Sequence, residues 1–313
     1  MASLWRRRPV RIATWAALVL LAVGALGWFA VSYGLGPGGA GRLLWGEDEK
    51  RRSRESEGVR VLREQARGRR PLDRAAEIKL RFRRPPRAGL LFELDTGRVL
   101  WRHHAQRKLP VASLTKIATA IVTVDRTGPR ERLRIPRSAQ EVPGSGIGKL
   151  RRGKRVRVDA LLYALLMVSA NDAAVALARH VAGSNRDFMR LMNGQARRLG
   201  LTCTRFVSPH GLQGRNRSCA ADLAVLARVA MDRRRIARVA RKSTASVRFP
   251  IKGGRLELNS TNPLLQAGYR GKVGLKTGYT DEAGRCFVGV VKRGKRRLGV
   301  VLLDSPDTAR QAR

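Results

Sequence analysis

The sequence contains few cysteines, few aromatic residues and few acidic residues. Three Cys in 313 residues are too few for a fold held together by disulfides. Aromatic residues make up 5% of the chain, and no basic block has aromatic side chains interleaved through it, as a groove for single-stranded nucleic acid would. Zinc-finger and RNP-like spacings are also lacking. These absences argue against the nucleic-acid partner that a basic chain first suggests.

The shortage of acidic residues gives the chain a large positive charge. It carries 65 Lys and Arg against 23 Asp and Glu, a formal net charge of +42. Residues 1–43 contribute +5, residues 44–86 contribute +6 and residues 87–313 contribute +31, so the charge extends through the part that is expected to fold. Hydrophobic residues make up 43% of the chain, enough for a core. A field this strong favours anionic surroundings such as acidic lipid or acidic wall material.

One segment near the amino terminus is long, apolar and uncharged. Residues 13–33 span 21 positions without a charge, which is enough to cross a bilayer as a helix. Four arginines precede it, so residues 1–12 are expected to be a cytoplasmic basic segment. A cleaved signal peptide is the alternative, although the residues that follow offer only a poor cleavage site. Either interpretation predicts an extracytoplasmic protein, anchored in the cytoplasmic membrane by its amino-terminal helix or exported.

The remaining chain divides by composition into a linker, a domain and a tail. Residues 34–86 are rich in charge and poor in apolar periodicity, and are predicted to form a charged linker, mobile or partly helical. Packing of this segment on the domain is the alternative. A compact domain is expected over residues 87–304, with a short tail at 305–313.

Strand patterns stand at both ends of this domain and helical patterns in its middle. Strands are predicted at 89–95, 98–102, 273–278, 285–293 and 297–304, and helices at 114–125, 159–168, 172–182, 187–199 and 220–232. Gly183 and Gly200 stand just past two of the helices, where a left-handed terminal residue belongs. Tight turns between sequential strands make them antiparallel. The predicted class is α+β: an antiparallel sheet from both chain ends with an inserted helical region.

The first motif with chemical content runs from Ser113 to Lys116, at the start of a predicted helix. Residues three apart share one helix face, so the amine of Lys116 can reach the hydroxyl of Ser113. A lysine becomes a base when burial and neighbouring charge lower its pKa. A tetrad of this kind also arises by chance.

The second motif is Ser169-Ala170-Asn171, between two predicted helices. A hydroxyl and an amide two residues apart on a turn can face one cavity, where the hydroxyl relays a proton and the amide holds a substrate carbonyl. Helix capping is the alternative, because Ser and Asn are ordinary caps. Ser260-Thr261-Asn262 fits the same pattern.

The third motif is Lys276-Thr277-Gly278, at the end of a predicted strand. Its Lys276 and Thr277 can bind a terminal carboxylate, and Gly278 permits close approach of a substrate backbone. An ordinary turn at the strand end is the alternative. Each motif is weak alone, but the three occur in order on a helix start, a turn between helices and a late strand.

Together the motifs resemble those of the serine-type penicillin-binding D-alanyl-D-alanine carboxypeptidases, which share the fold of the serine β-lactamases. The likeness covers roughly residues 88–304, with signatures at 111–120, 168–178 and 274–288, and further similar segments at 206–212 and 258–265. The similarity at 258–265 implies that the Ser260 motif is structural.

The resemblance implies a role for each motif residue. Ser113 would attack the carbonyl of a D-Ala-D-Ala stem peptide and form an acyl-enzyme, with Lys116 as its base. Ser169 would pass the proton to the departing D-alanine, and Asn171 would position the side chains and the substrate. Further residues would bind the substrate: Lys276 and Thr277 its carboxylate, Gly278 its backbone, and the amides of Ser113 and Tyr279 the oxyanion.

The predicted function is therefore removal of the terminal D-alanine from peptidoglycan stem peptides, with no cofactor. A D,D-endopeptidase that cuts peptidoglycan crosslinks uses the same motifs, and a non-catalytic wall-binding protein with the same fold is a further alternative. β-Lactams are expected to acylate Ser113. No Glu occurs between Glu141 and Glu257, where class A β-lactamases need one for deacylation, so efficient β-lactamase activity is not expected.

The three cysteines fit structural roles. Cys203 and Cys219 are 16 residues apart and can pair in an oxidising compartment. Cys286 lies on a strand pattern and is predicted to be a small buried hydrophobe. Neither the cysteines nor His210 and His180 show metal-ligand spacing, so no metal site is predicted.

Overall fold

The computed structural model describes residues 57–67, 78–148, 150–212 and 214–313. The predicted cytoplasmic segment 1–12 and the predicted membrane-spanning or signal segment 13–33 lie outside the described residues. Within the described ranges, no helix has the length and apolar character that crossing a membrane would require.

Eleven strands occur in the described part of the chain, and five of them form one sheet. In chain order they are β1 Ala88–Glu93, β2 Val99–His103, β3 Leu109–Pro110, β4 Arg132–Arg134, β5 Arg155–Arg157, β6 Arg217–Ser218, β7 Thr244–Arg248, β8 Arg255–Asn259, β9 Lys272–Thr280, β10 Gly284–Arg293 and β11 Arg296–Leu303. The main sheet has the order β2-β1-β11-β10-β9, and every neighbouring pair is antiparallel. The predicted sheet from both chain ends is confirmed.

Along the chain, the helices lie between the first two and the last three strands of the main sheet, except for one helix before these strands and one after them. They are α1 57–66, α2 Thr115–Val124, α3 Val158–Met167, α4 Asn171–Ala182, α5 Asn185–Arg198, α6 Ala220–Met231, α7 Arg234–Ala240, α8 Pro263–Gln266 and α9 Thr308–Gln311, with 3₁₀ turns at Ala112–Leu114 and Arg137–Ala139. The five predicted helices and five predicted strands are all present, with ends shifted by at most two residues. Gly183 and Gly200 both have positive φ, as a left-handed helix terminus requires.

The core lies between the sheet and the helical region. Helix α2 runs through it: its first nine residues are all buried, including the polar Lys116 and Thr119, which have hydrogen-bond partners inside the protein. Helix α6 is buried along its whole length and packs between α2 and the strands β1 and β11. Leu90, Val288 and Val301 on the sheet are fully buried. The carboxyl-terminal tail, predicted at 305–313, contains the helical turn α9.

Part of the predicted linker packs on the domain. Residues 57–67 belong to the same compact unit as the domain. Leu62 and Ala66 of α1 are buried, and Arg67, the residue after α1, reaches Asp222 of α6 at 3.1 Å. These contacts favour the alternative that this stretch packs on the domain. The apolar stripe of α1 is two turns long and lies in a highly charged segment, so periodicity does not reveal it.

Two small hairpins and helix α7 were not predicted. The hairpin strands β4 and β5 have the sequences RLR and RVR, each with only its central residue buried. Strand β7 has no fully buried residue and pairs with β8. Such short arginine-rich strands carry too little alternation to be recognised, because their place in the fold is set by the neighbours that they pair with.

Candidate active site

Ser113 lies at the centre of the 3₁₀ turn that leads into α2. The residue before it, Ala112, has a φ of 45°, a left-handed conformation that is unfavourable for a residue with a side chain. Gly211 packs directly on this turn, because a β-carbon there would stand 2.0 Å from the carbonyl oxygen of Ala112. Thr115 Oγ1 donates to the same carbonyl at 2.8 Å and accepts from Asn216 Nδ2 at 2.9 Å. The strained turn is thus held in place from both sides.

Lys116 is fully buried one turn along α2 from Ser113. Its Nζ donates to Ser113 Oγ at 2.8 Å, to Asn171 Oδ1 at 2.7 Å and to the carbonyl oxygen of His210 at 2.7 Å. Burial lowers the pKa of the amine well below its ordinary value, and the nearby charge of Lys276 lowers it further. The carboxylate of Asp172 acts in the opposite direction.

These contacts suit a lysine that exchanges a proton with Ser113. An ammonium group has three N–H donors, and each finds an acceptor here. In the neutral amine two donors remain for Asn171 and the His210 carbonyl, which leaves the lone pair directed at Ser113 Oγ. The arrangement therefore accommodates both protonation states, as a general base requires.

Asn171 and Asp172 in the first turn of α4 join this helix to the loop 143–148. Asn171 Nδ2 donates to Pro143 O at 3.0 Å while its Oδ1 holds Lys116. Asp172 Oδ2 accepts from the backbone N–H of Ile147 at 2.8 Å and of Gly148 at 3.2 Å. Burial raises the pKa of Asp172, and these backbone donors oppose that rise. The role of Asp172 was not predicted, although an acid in the first turn of a helix is a recognisable signal.

Ser169 occupies the turn between α3 and α4, with a φ of 62° and a half-buried side chain. It lies two residues before Asn171, but it is not among the three acceptors of the Lys116 ammonium. The predicted proton relay between Lys116 and Ser169 therefore stays a prediction.

Strand β9 brings the third motif against the nucleophile. A β-carbon on Gly278 would stand 3.0 Å from the backbone nitrogen of Ser113. The strand therefore packs closely against this turn and leaves little room for a side chain at this position. Lys276 is buried and donates to Thr277 O at 2.7 Å, and its burial lowers its pKa to about 7. Tyr279 is 62% exposed, and its hydroxyl donates to Asp281 Oδ1 at 3.0 Å.

A second hydroxyl, that of Thr261, contacts the third motif. Thr261 Oγ1 lies 2.9 Å from Thr277 Oγ1, and Thr261 N donates to Met167 O at the end of α3 at 2.9 Å. Asn262 caps helix α8 by accepting from Leu264 N at 3.0 Å, in keeping with a structural role for this segment. Thr261 lies in the segment that the sequence marked as structural, so its contact with Thr277 was not predicted.

The cysteines are structural. Cys203 and Cys219 form a disulfide with a Cα–Cα separation of 5.6 Å, and Cys286 is a buried free thiol whose pKa burial raises to about 12. Asp222 comes within 4.8 Å of both bonded sulfurs. Its carboxylate already accepts from Cys203 N at 2.8 Å and from Thr204 Oγ1 at 2.8 Å, and it pairs with Arg67. Bonded sulfurs and a saturated carboxylate do not make a metal site.

The chain is similar to curated D-alanyl-D-alanine carboxypeptidases and endopeptidases. D-alanyl-D-alanine carboxypeptidase DacF of Bacillus subtilis is 32% identical over 225 residues, covering 69% of this chain and 56% of that protein, so the chain spans little more than half of this relative's length. DacB2 of Mycobacterium tuberculosis is 33% identical over 222 residues, covering 70% of this chain and 75% of that protein. D-alanyl-D-alanine endopeptidase of Escherichia coli is 29% identical over 222 residues, covering 70% and 71%.

Solved structures agree with the fold, and a family model identifies the chain. A D-alanyl-D-alanine carboxypeptidase from Mycobacterium tuberculosis matches with a TM-score of 0.69 and 31% identity, covering 74% of this chain and 87% of that one. Penicillin-binding protein D2 of Listeria monocytogenes, in its ampicillin-bound form, matches with a TM-score of 0.64 and 31% identity, covering 74% and 94%. The family model described as D-alanyl-D-alanine carboxypeptidase matches residues 86–307, and the chain therefore belongs to this family of serine peptidases.

Proposed function

We propose that this protein removes the terminal D-alanine from peptidoglycan stem peptides through an acyl-enzyme on Ser113. The observation that carries the proposal is the buried Lys116 amine, which lies 2.8 Å from Ser113 Oγ with its other two donors occupied. A serine hydroxyl is a weak nucleophile until a base takes its proton, and a buried amine with a lowered pKa is such a base.

In the acylation step Ser113 Oγ attacks the carbonyl of the penultimate D-alanine as its proton passes to Lys116. The negative charge on the carbonyl oxygen is stabilised by the backbone N–H groups of Ser113 and Tyr279, whose strand passes close to the turn at Gly278. The C–N bond then breaks, and the proton on Lys116 passes through Ser169 to the leaving amine. Water attacks the acyl-enzyme in the second step, releases the shortened peptide and returns the proton to Ser113.

The substrate carboxylate binds at the third motif in this proposal. The Lys276 ammonium supplies the charge and the Thr277 hydroxyl a hydrogen bond, while Asn171 orients the substrate amide from the opposite wall. β9 is the edge strand of its sheet, so its free side can pair with an extended peptide, and Gly278 lets that peptide approach.

We further propose that the catalytic domain acts outside the cytoplasmic membrane, with residues 13–33 as its anchor or export signal. The uncharged run preceded by arginines supports this location, and the Cys203–Cys219 disulfide suits an oxidising compartment. β-Lactams are expected to act as covalent inhibitors at Ser113; the ampicillin-bound form of the similar Listeria protein supports this.

The test compares two substrates and one variant. Purified protein is assayed for D-alanine release from a pentapeptide and for cleavage of a crosslinked dimer, and is labelled with fluorescent penicillin. We expect release from the pentapeptide, and labelling that Ser113→Ala abolishes. Cleavage of the dimer alone would favour the endopeptidase, the activity named for the Escherichia coli relative. Wild-type protein without label, or label that persists in Ser113→Ala, would favour the non-catalytic wall-binding alternative.

A further inference from the structure

A cavity of about 490 Å³ opens between the β9–β10 turn and the loop that precedes α6. Its lining consists of three arginines, one glutamate and two residues without charge: Arg205, Arg215, Arg217, Glu282, Val207 and Gly214. Glu282 Oε1 accepts from Arg217 Nη2 at 3.2 Å, which links the turn to the loop across the cavity. Three cations against one carboxylate leave the lining with a surplus positive charge of two.

Both walls of this cavity come from segments of the chain that also contribute residues to the active site. On one side Glu282 follows Tyr279 by three residues, which is no more than about 10 Å of extended chain. On the other side Val207 and Arg217 flank the segment that contains His210 and Gly211, which contact Lys116 and the Ser113 turn. Arg217 is also the ladder partner of Pro110, three residues before Ser113.

The direction of the bound peptide places its third residue on this side. In the proposed function the carboxylate of the leaving D-alanine lies at Lys276 and Thr277, on one side of Gly278. The attacked carbonyl faces the N–H of Tyr279, so the rest of the stem peptide continues past Tyr279 toward the β9–β10 turn. The residue before the attacked D-alanine is one Cα step away, about 3.8 Å. A long side chain on that residue reaches the cavity.

We propose that this cavity binds the side chain of the third stem-peptide residue and selects a diamino acid whose side chain ends in a carboxylate as well as an amine. The inference rests on the proposed function and names the substrate class for it. The guanidinium groups of Arg205 and Arg215 receive the carboxylate, because Arg forms charge-assisted, paired hydrogen bonds with such groups. Glu282 receives the amine. A third residue ending in an amine alone, such as lysine, offers no carboxylate to the two arginines and adds a cation to a lining that already has a surplus of positive charge.

The experiment uses three pentapeptides that differ only at the third residue: meso-diaminopimelate, diaminopimelate with its side-chain carboxylate amidated, and L-lysine. We expect kcat/KM for the free carboxylate to exceed the other two by about tenfold, the range of one charge-assisted hydrogen bond. The double variant Arg205→Gln/Arg215→Gln should bring the three values to within about twofold of one another.

Two controls separate this inference from the proposed function. Lys295→Gln removes one positive charge in the β10–β11 turn, at the opposite end of β10, and should keep the wild-type preference. The rate of penicillin acylation at Ser113 should be unchanged in the arginine variant, because penicillin carries no stem peptide. Equal cleavage of all three peptides by wild-type protein, a preference for lysine, or an unchanged preference in the arginine variant would overturn the inference while the function stands. No peptide cleavage and no penicillin label would overturn both.

Discussion

At the scale of single residues, the site contains two buried lysines that need opposite charge states. In the proposed mechanism Lys116 must be neutral to accept the proton of Ser113, whereas Lys276 must be an ammonium to hold the substrate carboxylate. Both are buried, and burial favours the neutral form of an amine. The charge of Lys276 also lowers the pKa of Lys116, so the cation that binds substrate helps to keep the base free of its proton.

The pH profile follows from this pair. The pKa of Lys276 is about 7, so the ammonium is lost as the pH rises through that value. We expect kcat/KM to rise with the deprotonation of Lys116 and to fall above about pH 7, since this ratio reports groups of the free enzyme. A bound carboxylate raises the pKa of Lys276, so the fall in kcat should come at a higher pH. Lys276→Arg, whose guanidinium stays charged, should remove the alkaline fall. A wild-type kcat/KM that does not fall on the alkaline side would contradict this assignment.

Thr261 is a positioning residue for Thr277. When Thr261 Oγ1 donates to Thr277 Oγ1, the hydroxyl proton of Thr277 is free for the substrate carboxylate. We expect Thr261→Val to lower kcat/KM by about tenfold, chiefly through KM, because one hydrogen bond to a charged group is weakened. Thr261→Ser keeps the hydroxyl and should restore the wild-type value. Equal losses in both variants would show that Thr261 acts only through packing.

At the scale of elements, α1 extends the domain beyond the residues that the family model matches. It precedes residue 86, where that match begins, yet Arg67 directly after it contributes a nearly buried ion pair, with side-chain exposures of 6% for Arg67 and 1% for Asp222. Val99 N also donates to Gln65 Oε1 at 2.9 Å, which ties α1 to β2. Asp222 in turn holds Cys203 N, so α1 supports the segment that leads to the disulfide.

Removing one partner of this ion pair should destabilise the protein. We expect Arg67→Met to lower the free energy of unfolding by about 3 kcal/mol, because it leaves a buried carboxylate without its cation. The matched control is Arg60→Met in α1, whose ion pairs with Glu57 and Glu64 are exposed to solvent and therefore contribute little. Urea unfolding of both variants measures the difference. Equal effects would mean that α1 does not depend on the buried pair.

At the scale of the whole molecule, the Cys203–Cys219 disulfide fits the proposed location outside the cytoplasmic membrane, because disulfides persist in oxidising compartments. Cys203 and Cys219 close a loop of 16 residues that carries Asn216 and the Ser208–Gly211 segment beside the nucleophile. A cross-link of this length restricts the unfolded chain by about 3 kcal/mol. The net charge of +42 is spread over the same molecule, and a field of this sign favours anionic surroundings.

Loss of the disulfide should therefore be measurable in the midpoint of thermal unfolding. We expect Cys203→Ala/Cys219→Ala to lower Tm by about 6–12 °C, from the loop estimate and the usual entropy of unfolding for a domain of this size. A reducing agent should lower the Tm of the wild-type protein by a similar amount and leave that of the double variant unchanged. A wild-type Tm that does not respond to complete reduction would contradict a stabilising role for the bond.

The sequence by itself determined the class of fold and indicated the side chains of the candidate site. The strand and helix patterns are local, and they are present with ends shifted by no more than two residues. The order of Ser113, Asn171 and Lys276 along the chain was enough to indicate which side chains meet, because the motifs lie on distinct elements of a known fold. Only the tertiary structure decided the partners that complete the site: the His210 carbonyl on Lys116, the Thr261 hydroxyl on Thr277, the arginine-lined cavity and the packing of α1. Each joins residues far apart in the chain, often through a backbone atom that every residue possesses, so no local pattern of side chains could encode it.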